Sequence, residues 1–139
     1  MKIDTLHEKV YNLVNTITDF NIGYKERPKE LIDEKMPAFA VYFEGHKNNI
    51  ETTKSNRRTY NMTIDVIYDK KTIDTTQTVT SDLVSKVIDT LEKRSNTTLD
   101  GEACYTLPTT AKRLEEYVVA GKIYLAYQIT YPIITIETI

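Results

Sequence analysis

The chain has 139 residues, 40% of them hydrophobic and 27% charged, with a formal net charge of −2. This describes one soluble globular domain over residues 1–139, long enough to bury about two-thirds of its unfolded surface without disulfide or metal staples. A single cysteine, Cys104, excludes an intrachain disulfide and sits in no metal-ligand spacing, and the N-terminus carries no apolar stretch for export or a membrane span. The expected setting is therefore intracellular and reducing, with no membrane partner.

Ile3, Leu6, Val10, Leu13, Val14, Ile17 and Phe20 recur at steps of three and four, which predicts an amphipathic first helix. Thr5-Leu6-His7-Glu8 has the form of a capping box at its start, and Asn21 and Gly23 supply a stop. Tyr24 to Pro37 is polar and charged with two prolines, a connector with room for a short strand or turn. Ala38 to Glu44, aromatic and β-branched between Pro37 and Gly45, predicts a buried strand. A second strand follows, with Tyr60, Met62, Ile64, Val66 and Tyr68 alternating along it. The two pair most simply as a hairpin whose long polar tip, His46 to Arg58, holds Lys47, Lys54, Arg57 and Arg58 against Glu51 alone. That local balance of +3 leaves −5 for the rest of the chain, and the ordinary reading of such a run is a solvated loop.

Leu83, Val84, Val87, Ile88 and Leu91 predict a second helix, with Asp74 and Gln77 spaced as a capping pair and Lys93 and Arg94 at its negative end. After a loop from Ser95 to Gly101, strands are expected over Ala111 to Val119 and Lys122 to Tyr131, turning at Ala120-Gly121. Ile123, Leu125, Tyr127, Ile129 and Tyr131 form the inner set of the last one. Pro132 cannot donate to a ladder, so the tail Ile133 to Ile139 is expected to leave the sheet or run along an edge. The predicted fold is α+β: an antiparallel sheet of about four strands with two helices on one face, in the order α-β-β-α-β-β.

The four glycines are isolated, so neither a phosphate-binding loop nor a dinucleotide fingerprint can be assembled. Nucleophile-elbow and His-Glu-x-x-His patterns are missing as well. His7 reads as a surface or boundary residue, His46 as solvated, and Glu115-Glu116 as neighbours on opposite strand faces. Cys104 lacks the electropositive surroundings that reactivity needs. The ten tyrosines suit a core or subunit interface better than base stacking, because the basic groove that stacking requires is missing. No catalytic, cofactor or metal site is expected, and the chain reads as a non-enzyme.

The order of a helix, PAFAVYFEGHKN, a polar loop ending NRRTYNMTIDVIYD, a helix TSDLVSKVIDTLEKR and a terminal antiparallel pair resembles the tail terminator (tail completion) proteins of long-tailed phages and phage-like particles. The likeness is closest at Pro37 to Glu44 and Arg57 to Asp69 and spans most of the chain by order and pattern; Glu102 to Lys112 matches nothing in it. The resemblance implies a structural virion protein that needs no cofactor. Six copies would form a ring at the tail-neck junction, assembled in the host cytoplasm. That ring would cap the tail tube, end its polymerisation and present a surface to the head-side connector, and in a contractile tail it would also end the sheath. DNA would pass through only as cargo.

On this reading Lys47, Lys54, Arg57 and Arg58 face an acidic partner surface or the DNA in the lumen. The apolar tail, with Ile133, Ile134, Ile136 and Ile139, adds a strand to a neighbouring subunit or sheath protein. Asn61, Thr63 and Asp65, on the outer sheet face, contribute to subunit packing. Three other readings compete. One is a head-completion or connector ring, and another a small-ligand-binding regulatory α+β domain. The third is an enzyme assembled from distant segments, disfavoured because few titratable groups are available.

Overall fold

In a computed structural model that describes residues 2–50, 55–69, 73–93, 99, 105–106 and 109–138, the first apolar stripe forms α1 (Lys2–Asn15). The helix starts ahead of Thr5, so Thr5 and Glu8 lie inside it and make no capping box at its start. It also ends earlier than expected. The backbone N–H groups of Thr16 and Ile17 donate to the Leu13 and Val14 carbonyls at 3.2 and 3.1 Å, closing the last turn and satisfying two of its orphan acceptors.

Asn21, the expected stop, instead ties two strands together. Its backbone N–H donates to the Pro37 carbonyl at 3.0 Å and its side-chain amide to the Met36 carbonyl at 2.8 Å. This sets β1 (Ile22–Tyr24) parallel to the start of β2 (Ala38–Ile50), with Ile22 opposite Ala38. Between them the chain makes one short 3₁₀ turn, Asp33–Lys35.

β2 pairs antiparallel with β3 (Ser55–Tyr68), and β3 pairs antiparallel with β6 (Lys122–Thr138) over fourteen positions, from Ser55 opposite Thr138 to Tyr68 opposite Leu125. β4 (Tyr105–Thr106) and β5 (Thr110–Val119) share the other edge of β6. The sheet order is β1-β2-β3-β6-β4, with β5 also on β6. The α+β class and the mostly antiparallel sheet agree with expectation, but the described residues form six strands rather than four. The extra ones, β1 and β4, are too short to show an alternation in sequence.

α2 (Ile73–Glu92) begins ahead of Asp74, which places Asp74 and Gln77 within the helix. Its apolar residues Leu83, Val84, Val87 and Leu91 join Leu6, Val10 and Val14 of α1 over Phe39, Val41, Tyr60, Met62, Ile64, Val66, Ile129, Tyr131 and Ile133, so both helices cover one sheet face. The opposite face has a smaller core of Ile67, Tyr117, Val119, Tyr124 and Ala126, covered by Leu31 and Met36 of the β1–β2 connection. The segment read as a polar connector is thus a second covering layer.

The turn at Ala120-Gly121 is where the sequence placed it, with φ of 51° and 77°, the paired left-handed geometry of a tight hairpin. Ile123, assigned to the inner set, is 40% exposed and lies opposite Val118, itself 52% exposed. The buried residues at this end of β6 include Tyr124 and Ala126, on the face away from the helices. Register shifts at Phe43/Gly45 and Leu114/Tyr117 mark bulges at Glu44 and at Glu115-Glu116. The simple alternation assumed for the paired glutamates is therefore broken there.

The tail does not leave the sheet; it continues β6, and positions 135–138 run along an edge among the described residues, as one of its two expectations had it. β6 continues through Pro132 as a partner of β3, with Ile133 opposite Tyr60, Ile134 opposite Thr59 and Ile136 opposite Arg57. Proline is tolerated because its missing donor falls where the outer edge changes partner: β5 pairs as far as Thr130, and β4 begins at Ile133. Ile133 and Ile134 are fully buried in the chain's own core. They belong to the sheet interior and are not a strand held out for a neighbour.

Candidate functional site

Two places bring functional candidates together. The first is a three-stranded arm in which residues 45–50 of β2, 55–61 of β3 and 132–138 of β6 run side by side. The expected loop from His46 to Arg58 is therefore mostly strand, and residues 51–54, with Lys54, lie outside the described residues. Lys47 pairs in register with Thr59, Arg57 with Asn49 and Ile136, and Arg58 with Asn48 and Thr135. Arg58 is half-buried, so this cation does not sit on a solvated loop tip. Ile139 and Cys104 lie outside the described residues.

β1 covers β2 only at positions 38–40, and among the described residues no strand lies along the outer side of β2 at positions 44–50. Just before this stretch, the Val41 carbonyl meets the His7 imidazole Nε2 at 2.6 Å. His7 is thus a half-buried boundary residue that satisfies the last backbone acceptor beside β1. His46 stands opposite Tyr60 in the register, and no group of three potential metal ligands occurs among the described residues.

The second place is on the sheet face away from the helices. Asp65 and Thr63, expected on an outer face, are completely buried, whereas Asn61 is half-buried. The Tyr117 hydroxyl of β5 donates to Asp65 Oδ2 at 2.7 Å, and the Tyr42 hydroxyl of β2 donates to the same oxygen at 2.9 Å. The Gln128 amide of β6 reaches Asp65 Oδ1 and the Tyr42 hydroxyl, each at 3.3 Å. Above them the Arg27 guanidinium lies 4.7 Å from the centre of the Tyr117 ring. Beside this cluster the Thr63 hydroxyl donates to Glu44, the bulged residue of β2.

Loss of water pushes the Asp65 carboxyl above its usual range, while donation from Tyr117, Tyr42 and Gln128 and the charge of Arg27 pull the other way. The Tyr42 and Tyr117 phenols are also pushed up, first by burial and then by the neighbouring carboxylate. Both therefore remain hydrogen-bond donors throughout the neutral range. A carboxylate enclosed by two phenols and an amide has no room for a substrate, and its chemistry is that of a structural node. A depression of about 410 Å³ in the segment that carries Arg27 is lined by the contiguous residues Tyr24, Lys25, Glu26, Arg27, Pro28 and Lys29.

Sequence reasoning found the arm's residues, though not their strand setting. It missed the Asp65 node, because Tyr42, Asp65, Tyr117 and Gln128 are far apart in the chain and alternation identifies a face without saying what lies over it. Among the described residues no helix is long and apolar enough to cross a membrane. No protein-family model matches the chain, and no curated protein resembles it significantly.

Proposed function

We propose that this chain is the subunit of a phage tail terminator, a homo-oligomeric, hexameric ring that caps the tail tube, ends its polymerisation and offers a joining surface to the head-side connector. The carrying observation is the arm: β2 runs on to Ile50 and β3 begins at Ser55, while positions 44–50 of β2 have no neighbouring strand on their outer side among the described residues. A strand edge of this length invites pairing with another chain, and a ring covers every such edge with the next subunit. Lys47, Arg57 and Arg58 on the arm, together with Lys54 between its strands in the sequence, are the contacts to an acidic partner surface or to DNA in the lumen. The finer parts of the reading, six-fold closure and contact with tube, connector or sheath, rest on the resemblance of the sequence.

The test is the solution mass by light scattering over a concentration series, alone and with tail-tube protein, followed by negative-stain imaging. Closed rings, or rings seated on tube ends with tubes of uniform length, are the expected result. A monomer that ignores tube protein and leaves the tubes unlimited overturns the reading. Binding to the portal side instead of the tube would reassign the chain to a head-completion ring, and a monomer whose melting temperature rises with a metabolite would reassign it to ligand binding. Reversing the charges of Lys47, Arg57 and Arg58 is expected to impair assembly or DNA retention; if both are intact, these cations are not the contacts.

A further inference from the structure

We infer that Arg27 is a charge-dependent latch: set on the Tyr117 ring beside the enclosed Asp65 carboxylate, it holds residues 25–36 closed over the sheet face away from the helices, and neutralising that carboxylate releases them. The segment is fixed at both ends. β1 pairs with β2 before it, and Asn21 bonds the Met36 and Pro37 carbonyls after it. Between these ends Pro28 is buried, and Leu31 and Met36 pack on the Ile67, Tyr117, Tyr124 and Ala126 cluster. Lys25, Glu26, Arg27, Lys29, Glu30, Ile32, Glu34 and Lys35 are all exposed. Such a segment opens locally at far lower cost than the sheet beneath it.

Arg27 is where the segment's charge meets the sheet. The Tyr117 ring face attracts the guanidinium, and the hydroxyl of that ring donates to Asp65, so ring and carboxylate pull in the same direction. The groups around Asp65 are Tyr42 from β2, Tyr117 from β5, Gln128 from β6 and Arg27 from the segment. Glu44 on β2 is engaged by Thr63, and the exposed Lys112 on β5 stands opposite Gln128 in the register. Neutral Asp65 keeps its phenol and amide neighbours but no longer attracts Arg27 electrostatically. Because desolvation disfavours the charged carboxyl, the same proton that loosens the segment relieves a penalty in the sheet. Acidification thus weakens one layer while strengthening the one below, a pattern distinct from general acid unfolding.

Hydrogen exchange of a peptide covering residues 24–32, in the full chain and corrected for intrinsic rate, reads the latch from neutral pH down through the acid range in which the raised Asp65 carboxyl takes up its proton. At the upper end R27Q is expected to exchange about fivefold faster than the wild type in this peptide, with sheet amides unchanged. Wild-type protection is expected to fall toward acid, and that of R27Q to stay level. D65N should show the fast segment at every pH with its sheet amides still protected. Equal exchange in R27Q and wild type overturns the latch, as does a parallel pH slope in both. Should D65N not fold, the comparison of R27Q with wild type across pH decides alone.

Discussion

Gly23 and Phe39 set the geometry at the β1–β2 junction. A Cβ on Gly23 would stand 2.3 Å from the Phe39 ring, which is itself held by Tyr11 and Phe20 at centroid distances of 5.3 and 4.9 Å. The ring is buried and flanked by two others, so Gly23→Ala is expected to destabilise the fold by about 1–3 kcal/mol, as overpacking does. A urea titration checks this, and pairing the change with Phe39→Leu should recover part of the loss in a double-mutant cycle. In the sequence Gly23 read as a helix stop, because a glycine's need for space is invisible until the ring that occupies that space is known. Asp65 was hidden in the same way. Its raised native pKa means that the folded state binds a proton more tightly than the unfolded chain, whose carboxyl titrates near about 3.9. Stability from this group is therefore complete below the unfolded value and is lost as pH rises through the native one. The difference in melting temperature between wild type and Asp65→Asn should accordingly decline with rising pH. Tyr42 and Tyr117 act with the same sign in alkali, since the unfolded phenols ionise first above about pH 10.

At the scale of elements, the helices were legible because a stripe at steps of three and four has one physical solution, and both stripes do face a single core. Their ends were not, since α1 and α2 each begin before the residues that looked like caps. What holds α2 in place can be decided by magnitude. Lys86 and Asp19 form a 2.7 Å ion pair, but both side chains are largely in water, where such pairs contribute at most about 1 kcal/mol. Leu91 is fully buried, and its carbonyl accepts from the buried Tyr131 hydroxyl of β6 at 3.2 Å, satisfying an acceptor in the last turn of the helix. Leu91→Ala should therefore cost about 2–5 kcal/mol, several times the effect of Lys86→Ala. Denaturant midpoints of the two variants, taken at low and high salt, test this, because only the ion pair should respond to salt.

At the scale of the whole molecule, the sequence supplies the class and the paired central strands, but of its two expectations for the C-terminal tail only the edge strand is met, at positions 135–138, where among the described residues β6 has β3 on one side alone. A proline excludes continuation inside the sheet where both edges of a strand need donors; at Pro132 the outer edge is changing from β5 to β4, so the strand continues. The consequence is testable through Ile133 and Ile134. If this tail were exchanged between subunits, removing its side chains would leave a stable subunit that no longer associates. Both side chains are instead fully buried within one chain, Ile133 in the core beneath the helices and Ile134 in a position flanked by Thr59 and Tyr105. Ile133→Ala and Ile134→Ala are each expected to lower the stability of the isolated subunit by about 2–5 kcal/mol. This loss should be independent of protein concentration, as an intrachain contact requires. A melting temperature unchanged at low concentration, with loss of stability only where the chain assembles, would return the tail to the interface and leave β3 to find its partner in another subunit.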